Sequence, residues 1–149
     1  LVERCGTAAT GGNSQLTRLF PTAAAIAAAD LGGLGITGAR AATLRRLAAE
    51  VAAGRLEECA PGDLEAAIAR LTEIRGIGPW TAHYIAMRGF GESDAFPAGD
   101  LVVRQRLGDG VAVAPAEAER RSAAWRPWRA YAVMHLWRSA MDVAQEKMR

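Results

Sequence analysis

Apolar residues recur along this chain at three- and four-residue spacing, and nowhere alternate with polar ones over a useful strand length. A period near 3.6 puts apolar side chains on one face of a helix, whereas a half-buried strand needs a period of two. The chain can therefore build its core only from helices, and the expected fold class is all-α. FPTAAAIAAAD (20–30) has Pro21 and Thr22 at its start and an alanine-rich body. LGGLGITGAR (31–40) is a glycine-rich break. ARAATLRRLAAEVAAG (39–54) places Leu44, Leu47, Ala48 and Val51 on one stripe and ends at Gly54. PGDLEAAIARLTEI (61–74) offers Asp63 as N-cap and Leu64, Ile68 and Leu71 as its buried face. PWTAHYIAMRG (79–89) has Pro79 at a first helical position, and Asp100 precedes LVVRQRLG (101–108). PAEAERRSAAW and PWRAYAVMHLWRSAMDVAQ supply the last helices, with Trp125, Trp128 and Tyr131 expected mostly in the core. Residues 1–15 read as a fraying helix end and a loop.

Composition narrows the function. At 149 residues the chain amounts to one domain, without repeats or a linker, and can bury a real core. It contains no apolar run long enough to cross a bilayer and no basic-then-apolar leader, so the expectation is a cytoplasmic protein with no membrane partner. It opens on Leu1 rather than Met, which suggests a segment of a longer protein. Cys5 and Cys59 stand far apart and cannot alone build an iron–sulfur or zinc site; free thiols are expected. The net charge of +2 is too small to prove a polyanion partner. Apart from Lys147 every basic residue is arginine, which suits bidentate phosphate contacts but equally follows from a GC-rich genome.

IRGIGPW (74–80) joins two helical patterns. Gly76 and Gly78 can take positive φ cheaply, and Ile77 between them can plug the turn into the core. Two readings stay open: an ordinary corner between helices, or a tight hairpin whose backbone N–H groups form an anion site at the start of the next helix.

The wider pattern L-x-x-I-x-G-I-G-x-W-T-A closely resembles the helix–hairpin–helix motif of the base-excision DNA glycosylases, with the helix–hairpin–helix at about 63–89. In those proteins a Gly/Pro-rich loop follows, then an aspartate about twenty residues past the hairpin. Here RGFGESDAFPAGD follows, and Asp100 stands twenty positions beyond Trp80. WTAHYIAMRGFGESDAFPAGDLVVRQRL and AAWRPWRAYAVMHLW resemble the corresponding blocks of the DNA-3-methyladenine glycosylase II family, the AlkA type. The resemblance covers most of residues 20–139 and is strongest over 70–137.

This resemblance implies a monofunctional hydrolase that releases alkylated bases from duplex DNA, acting as a monomer in the bacterial nucleoid. Departure of an alkylated base leaves oxocarbenium character on the sugar, which a carboxylate can stabilise while orienting water. Asp100 matches that position; it is also a natural helix N-cap, and the two roles can coexist. Trp80, Tyr84 and Trp137 match the family's base pocket, where aromatic faces hold an electron-poor base; for tryptophans in a helical bundle, core packing is the alternative. Strand-cutting relatives carry a Schiff-base lysine just after the hairpin, where this chain has Trp80; its single lysine, Lys147, lies in a polar tail. Backbone N–H groups of Gly76, Gly78 and Thr81 are implied to grip a DNA phosphate. Carbonyls of Thr72, Ile74 and Ile77 are implied to hold a sodium or potassium ion, with no cofactor required for the chemistry. Arg75 and Arg104 fit either phosphate contacts or a solvated face, and His83 and His135 lack the partners of a metal or triad site.

Two departures stand out. The side chain that fills the gap left by a flipped base aligns with Gly38, so either Ile36 or Thr37 serves as wedge or the gap is filled poorly, and a further pocket aromatic is replaced by Leu101. The family also has an N-terminal region, partly β, and early helices for which this chain has no counterpart. The rival function is therefore a non-catalytic helix–hairpin–helix DNA-binding fragment. A relative acting on oxidised or mismatched bases is disfavoured by the missing lysine and cysteine cluster.

Overall fold

The computed structural model describes residues 1–10, 16–56 and 62–146, with side chains through residue 142. Cys59 and Lys147 lie outside the described residues. Helices make up the regular structure: α1 (Val2–Cys5), α2 (Ala23–Ala28), α3 (Gly38–Ala52), α4 (Leu64–Glu73), α5 (Pro79–Ile85), α6 (Leu101–Leu107), α7 (Pro115–Ser122) and α8 (Arg129–Glu146). The all-α expectation holds. The one β feature among the described residues is an antiparallel bridge between Ala8 and Arg18, where a short helix and loop were expected. The chain divides into two compact units, Leu1–Ala60 with Thr72–Ile77, and Pro61–Leu71 with Gly78–Arg149.

In the first unit, threonine caps start both long segments. Thr22 accepts from Ala25 N–H at 3.2 Å and Thr37 from Arg40 N–H at 3.3 Å, each satisfying one orphan donor of a first helical turn. Ile26, Leu31 and Ala48 form the local core, with Ala41 and Leu44 packed against it. Val51 was expected on this stripe but is 41% exposed. The six residues of α2 rise about 9 Å at 1.5 Å each, too little to cover the last turn of the fifteen-residue α3.

The turn after α4 belongs to this unit. Ile74 and Ile77 are buried, and Ile77 N–H donates to the Ile74 carbonyl at 2.9 Å. Gly76 has φ +103, and a Cβ there would stand 2.0 Å from Thr43 Oγ1. Thr43 Oγ1 in turn donates to the Arg75 carbonyl at 3.3 Å. Glycine is required at 76 twice over, by conformation and by crowding.

The second unit packs α4 through Leu71, then α5 to α8, around Ala86, Phe96, Val103, Ala118 and Val133, all fully buried. Asp63 accepts from Ala66 N–H at 3.0 Å, and Leu64 and Ile68 rest on this core as their spacing predicted. Trp125 also packs there, its ring edge-on to Phe96 at 6.4 Å. Trp128 and Tyr131 do not: each is 59% exposed, in edge contact with the other at 5.8 Å. Helix α8 turns Ala130 and Val133 inward, and on a 3.6-residue period Tyr131 then points away from the core.

Candidate DNA-glycosylase site

Helix α5 starts at Pro79, whose missing N–H costs nothing in a first turn. Trp80 and Tyr84 lie one turn apart on it and stack nearly parallel, ring centroids 5.4 Å apart and planes 13° apart. Trp137, from α8, is tilted against Tyr84, ring centroids 6.0 Å apart. Trp80 is 43% and Tyr84 39% exposed, which sets core packing aside for both.

The peptide between α5 and α6 carries the carboxylate. Helix α5 passes into a π-helical turn, Ala86–Phe90, and Gly91 closes it. Two tight turns follow, with Ala98 N–H on the Phe96 carbonyl at 2.9 Å and Asp100 N–H on the Pro97 carbonyl at 2.8 Å. Asp100 is 8% exposed and caps α6 by accepting from Val103 N–H at 2.9 Å. The same carboxylate accepts both indole N–H groups, Trp80 Nε1 on Oδ2 at 2.7 Å and Trp137 Nε1 on Oδ1 at 3.1 Å. A carboxylate has about four lone-pair directions. Three are occupied, so one remains on Oδ2. Capping and a role in chemistry are compatible, as the sequence allowed.

One side chain overlooked in the sequence supports this loop. Arg129 is 3% exposed, grips Asp94 with Nε and Nη2 at 2.8 Å each, and reaches Glu119 with Nη1 at 2.6 Å. Ala130 N–H also donates to the Ser93 carbonyl at 2.9 Å. These contacts pin the start of the Asp100 loop to α8 and α7. Their partners lie 35 and 10 residues from Arg129, and no local spacing announces them.

The other expected positions divide. Gly78 precedes α5 in extended backbone, φ −93 and ψ 174, not the positive φ expected, and a Cβ there would meet nothing within 4 Å. Thr81 sits in the first turn of α5, half-buried. Leu101 is 56% exposed. Arg104 is not on a solvated face: it is half-buried, and its Nε donates to the Val113 carbonyl. In the first unit Arg75 has an exposed side chain, Thr37 spends its hydroxyl on the α3 cap, and Ile36 is half-buried. His83 is a satisfied histidine, its Nδ1 accepting from Phe96 N–H at 3.3 Å, while His135 is exposed. Among the described residues no cluster of His, Cys, Asp and Glu could hold a metal ion, and no helix is long and apolar enough to cross a membrane.

No protein-family model matches the chain. Individual proteins do. It is 40% identical over 121 residues to DNA-3-methyladenine glycosylase 2 of Escherichia coli, covering 79% of this chain and 42% of that protein. It is 43% identical over 130 residues to a Mycobacterium tuberculosis protein described as a probable bifunctional transcriptional activator/DNA repair enzyme AlkA, covering 82% of this chain and 25% of the relative. The chain thus spans less than half the length of these curated relatives. The fold matches 3-methyladenine DNA-glycosylase from Archaeoglobus fulgidus, with TM-score 0.73 and 26% identity over 91% of this chain and 47% of that one. It also matches a Schizosaccharomyces pombe 3-methyladenine DNA glycosylase in complex with abasic DNA, with TM-score 0.70 and 27% identity over 82% and 64%. Over about four-fifths of its length, this chain belongs with the AlkA-type 3-methyladenine DNA glycosylases, of which it spans a part.

Proposed function

We propose that the chain hydrolyses the N-glycosidic bond of alkylated bases in duplex DNA, with Asp100 as its catalytic carboxylate and Trp80, Tyr84 and Trp137 as the wall of the base pocket. The observation that carries this reading is the Asp100 carboxylate held by two indole N–H groups beside an open aromatic stack. An electron-poor base leaving its sugar is attracted by aromatic faces. The cationic sugar left behind is stabilised by a fixed negative oxygen close by, and the lone pair remaining on Oδ2 can orient the attacking water. Each step uses groups this chain possesses.

Two further roles follow from the same reading. Among the described residues nothing requires glycine at 78, since its φ suits any residue and a Cβ would meet no atom within 4 Å. Bare backbone there suits close approach by a DNA phosphate to the N–H groups of Gly78 and Thr81, at the positive end of α5. In the first unit, Thr72, Ile74 and Ile77 offer carbonyls for a sodium or potassium ion. The Ile74 carbonyl spends one lone pair on Ile77 N–H and retains another. Such an ion would supply only charge for a neighbouring phosphate. As wedge, Ile36 is the better candidate, because Thr37 is committed to capping α3.

A non-catalytic DNA-binding fragment is the second reading, favoured by the modest share of each relative that the chain spans. The experiment that separates them is release of free bases from methylated duplex DNA, run beside Asp100→Asn. The first reading expects release by the unaltered chain, none by the variant, and DNA binding by both. Binding without release by the unaltered chain would establish the second.

A further inference from the structure

His83 lies between Trp80 and Tyr84 on α5, with its ring against the loop that carries Asp100. Its Nδ1 accepts the N–H of Phe96, thirteen residues on, at 3.3 Å. Phe96 is fully buried, and the two tight turns described above run from its carbonyl straight to Asp100. The neutral ring accepts at Nδ1 and carries its proton on Nε2; the protonated ring has two donors and no acceptor. Protonation would therefore set two donors, Phe96 N–H and Nδ1–H, against each other.

We propose that His83 is a positioning residue for the reaction: its neutral imidazole ties the Asp100 loop to α5, and its protonation loosens the clamp that the two indoles place on the carboxylate. This rests on the glycosylase reading of Asp100. The charged groups facing the ring come from several elements. Glu119 of α7 favours the protonated ring and Arg129 of α8 opposes it, while burial acts most strongly and holds the histidine below its ordinary value. Asp63, Glu65, Glu92, Asp94 and Arg126 line the same cleft, and two of these are neutralised locally, Asp94 by Arg129 and Arg126 by Asp94. The acceptor is thus intact at neutral pH, and the ring takes up its proton only below the ordinary histidine value.

The test has two arms. In the first, ¹H–¹⁵N spectra of this chain are followed from about pH 7.5 down past the ordinary histidine value near 6.5 until the His83 ring itself has titrated. The Phe96 amide and the Trp80 and Trp137 indole N–H signals should move together with one midpoint, and stay still in His83→Asn, whose amide oxygen accepts without titrating. Signals that do not move, or that move equally in His83→Asn, would overturn the proposal. In the second arm base release is measured. His83→Asn should keep neutral activity and lose the part of the acid-side decline due to the ring. His83→Leu should lose kcat on the order of tenfold at every pH with KM unchanged. Full kcat in His83→Leu would also overturn it. Absence of base release from every form would sink the glycosylase reading, while the spectra still decide the role of His83.

Discussion

The two hairpin glycines look alike in sequence, yet they answer to different demands. At Gly76, positive φ and contact with Thr43 combine, and Gly76→Ala should lose roughly 1–3 kcal/mol of stability, read from its urea midpoint. At Gly78 neither demand exists, so Gly78→Ala should fold as well as the parent and bind DNA more weakly. Equal DNA affinity in that variant would remove Gly78 from the phosphate contact. The indoles divide their labour in a similar way. Trp80 and Trp137 each present a ring to Tyr84's neighbourhood and an N–H to Asp100. Phenylalanine at 80 keeps a ring and removes the donor, so Trp80→Phe should slow base release at least tenfold while leaving a folded chain, since Trp80 is exposed. Unchanged release with a folded protein would mean that the N–H is not needed.

Between helices, the contacts that hold the site are ionic as well as apolar. Arg129 has a side chain only 4% exposed, and Asp94 and Glu119 are its partners. Removing one partner of a buried, bidentate pair leaves charge without compensation and costs about 3–5 kcal/mol. Asp94→Ala should therefore lower stability by about 3 kcal/mol, at the low end because Glu119 remains. Calorimetry with a change under about 1 kcal/mol would show that the network is dispensable. Thr22, Thr37 and Asp63 act at the same scale but more weakly, each capping one helix and worth about 1 kcal/mol.

At the scale of the molecule, His83 gives stability a pH dependence of definite sign. Its folded value is lowered, chiefly by burial, so between the ordinary value near 6.5 and the lower folded one the unfolded chain binds more protons. The contribution is fully present above about pH 6.5 and declines as pH falls toward the folded value. Urea midpoints should be lower at about pH 5.5 than at about 7.5, and the His83→Asn chain should show a smaller difference. The sole lysine of the sequence is Lys147. Borohydride treatment during base release should trap no covalent adduct with DNA, and an adduct would point to a Schiff base and a lyase step.

Read alone, the sequence was enough for the helical class, the caps at Asp63 and Asp100, and the family resemblance, because each depends on residues near one another in the chain. Helical periodicity and capping are local interactions, and the hairpin motif is a contiguous string. What only the tertiary structure decided was which side chains meet. The Trp137–Asp100 arm of the clamp joins residues 37 apart and the Trp80 arm residues 20 apart, the Arg129–Asp94 ion pair 35 and the His83–Phe96 bond 13. Spacing could not separate core from surface for Trp125, Trp128 and Tyr131, since all three are aromatic residues beside one helix start. The exposure of Tyr131 follows from which face of α8 the core covers. The same holds at Gly78, where only the backbone angle and the open space around it revealed that no described residue asks for glycine.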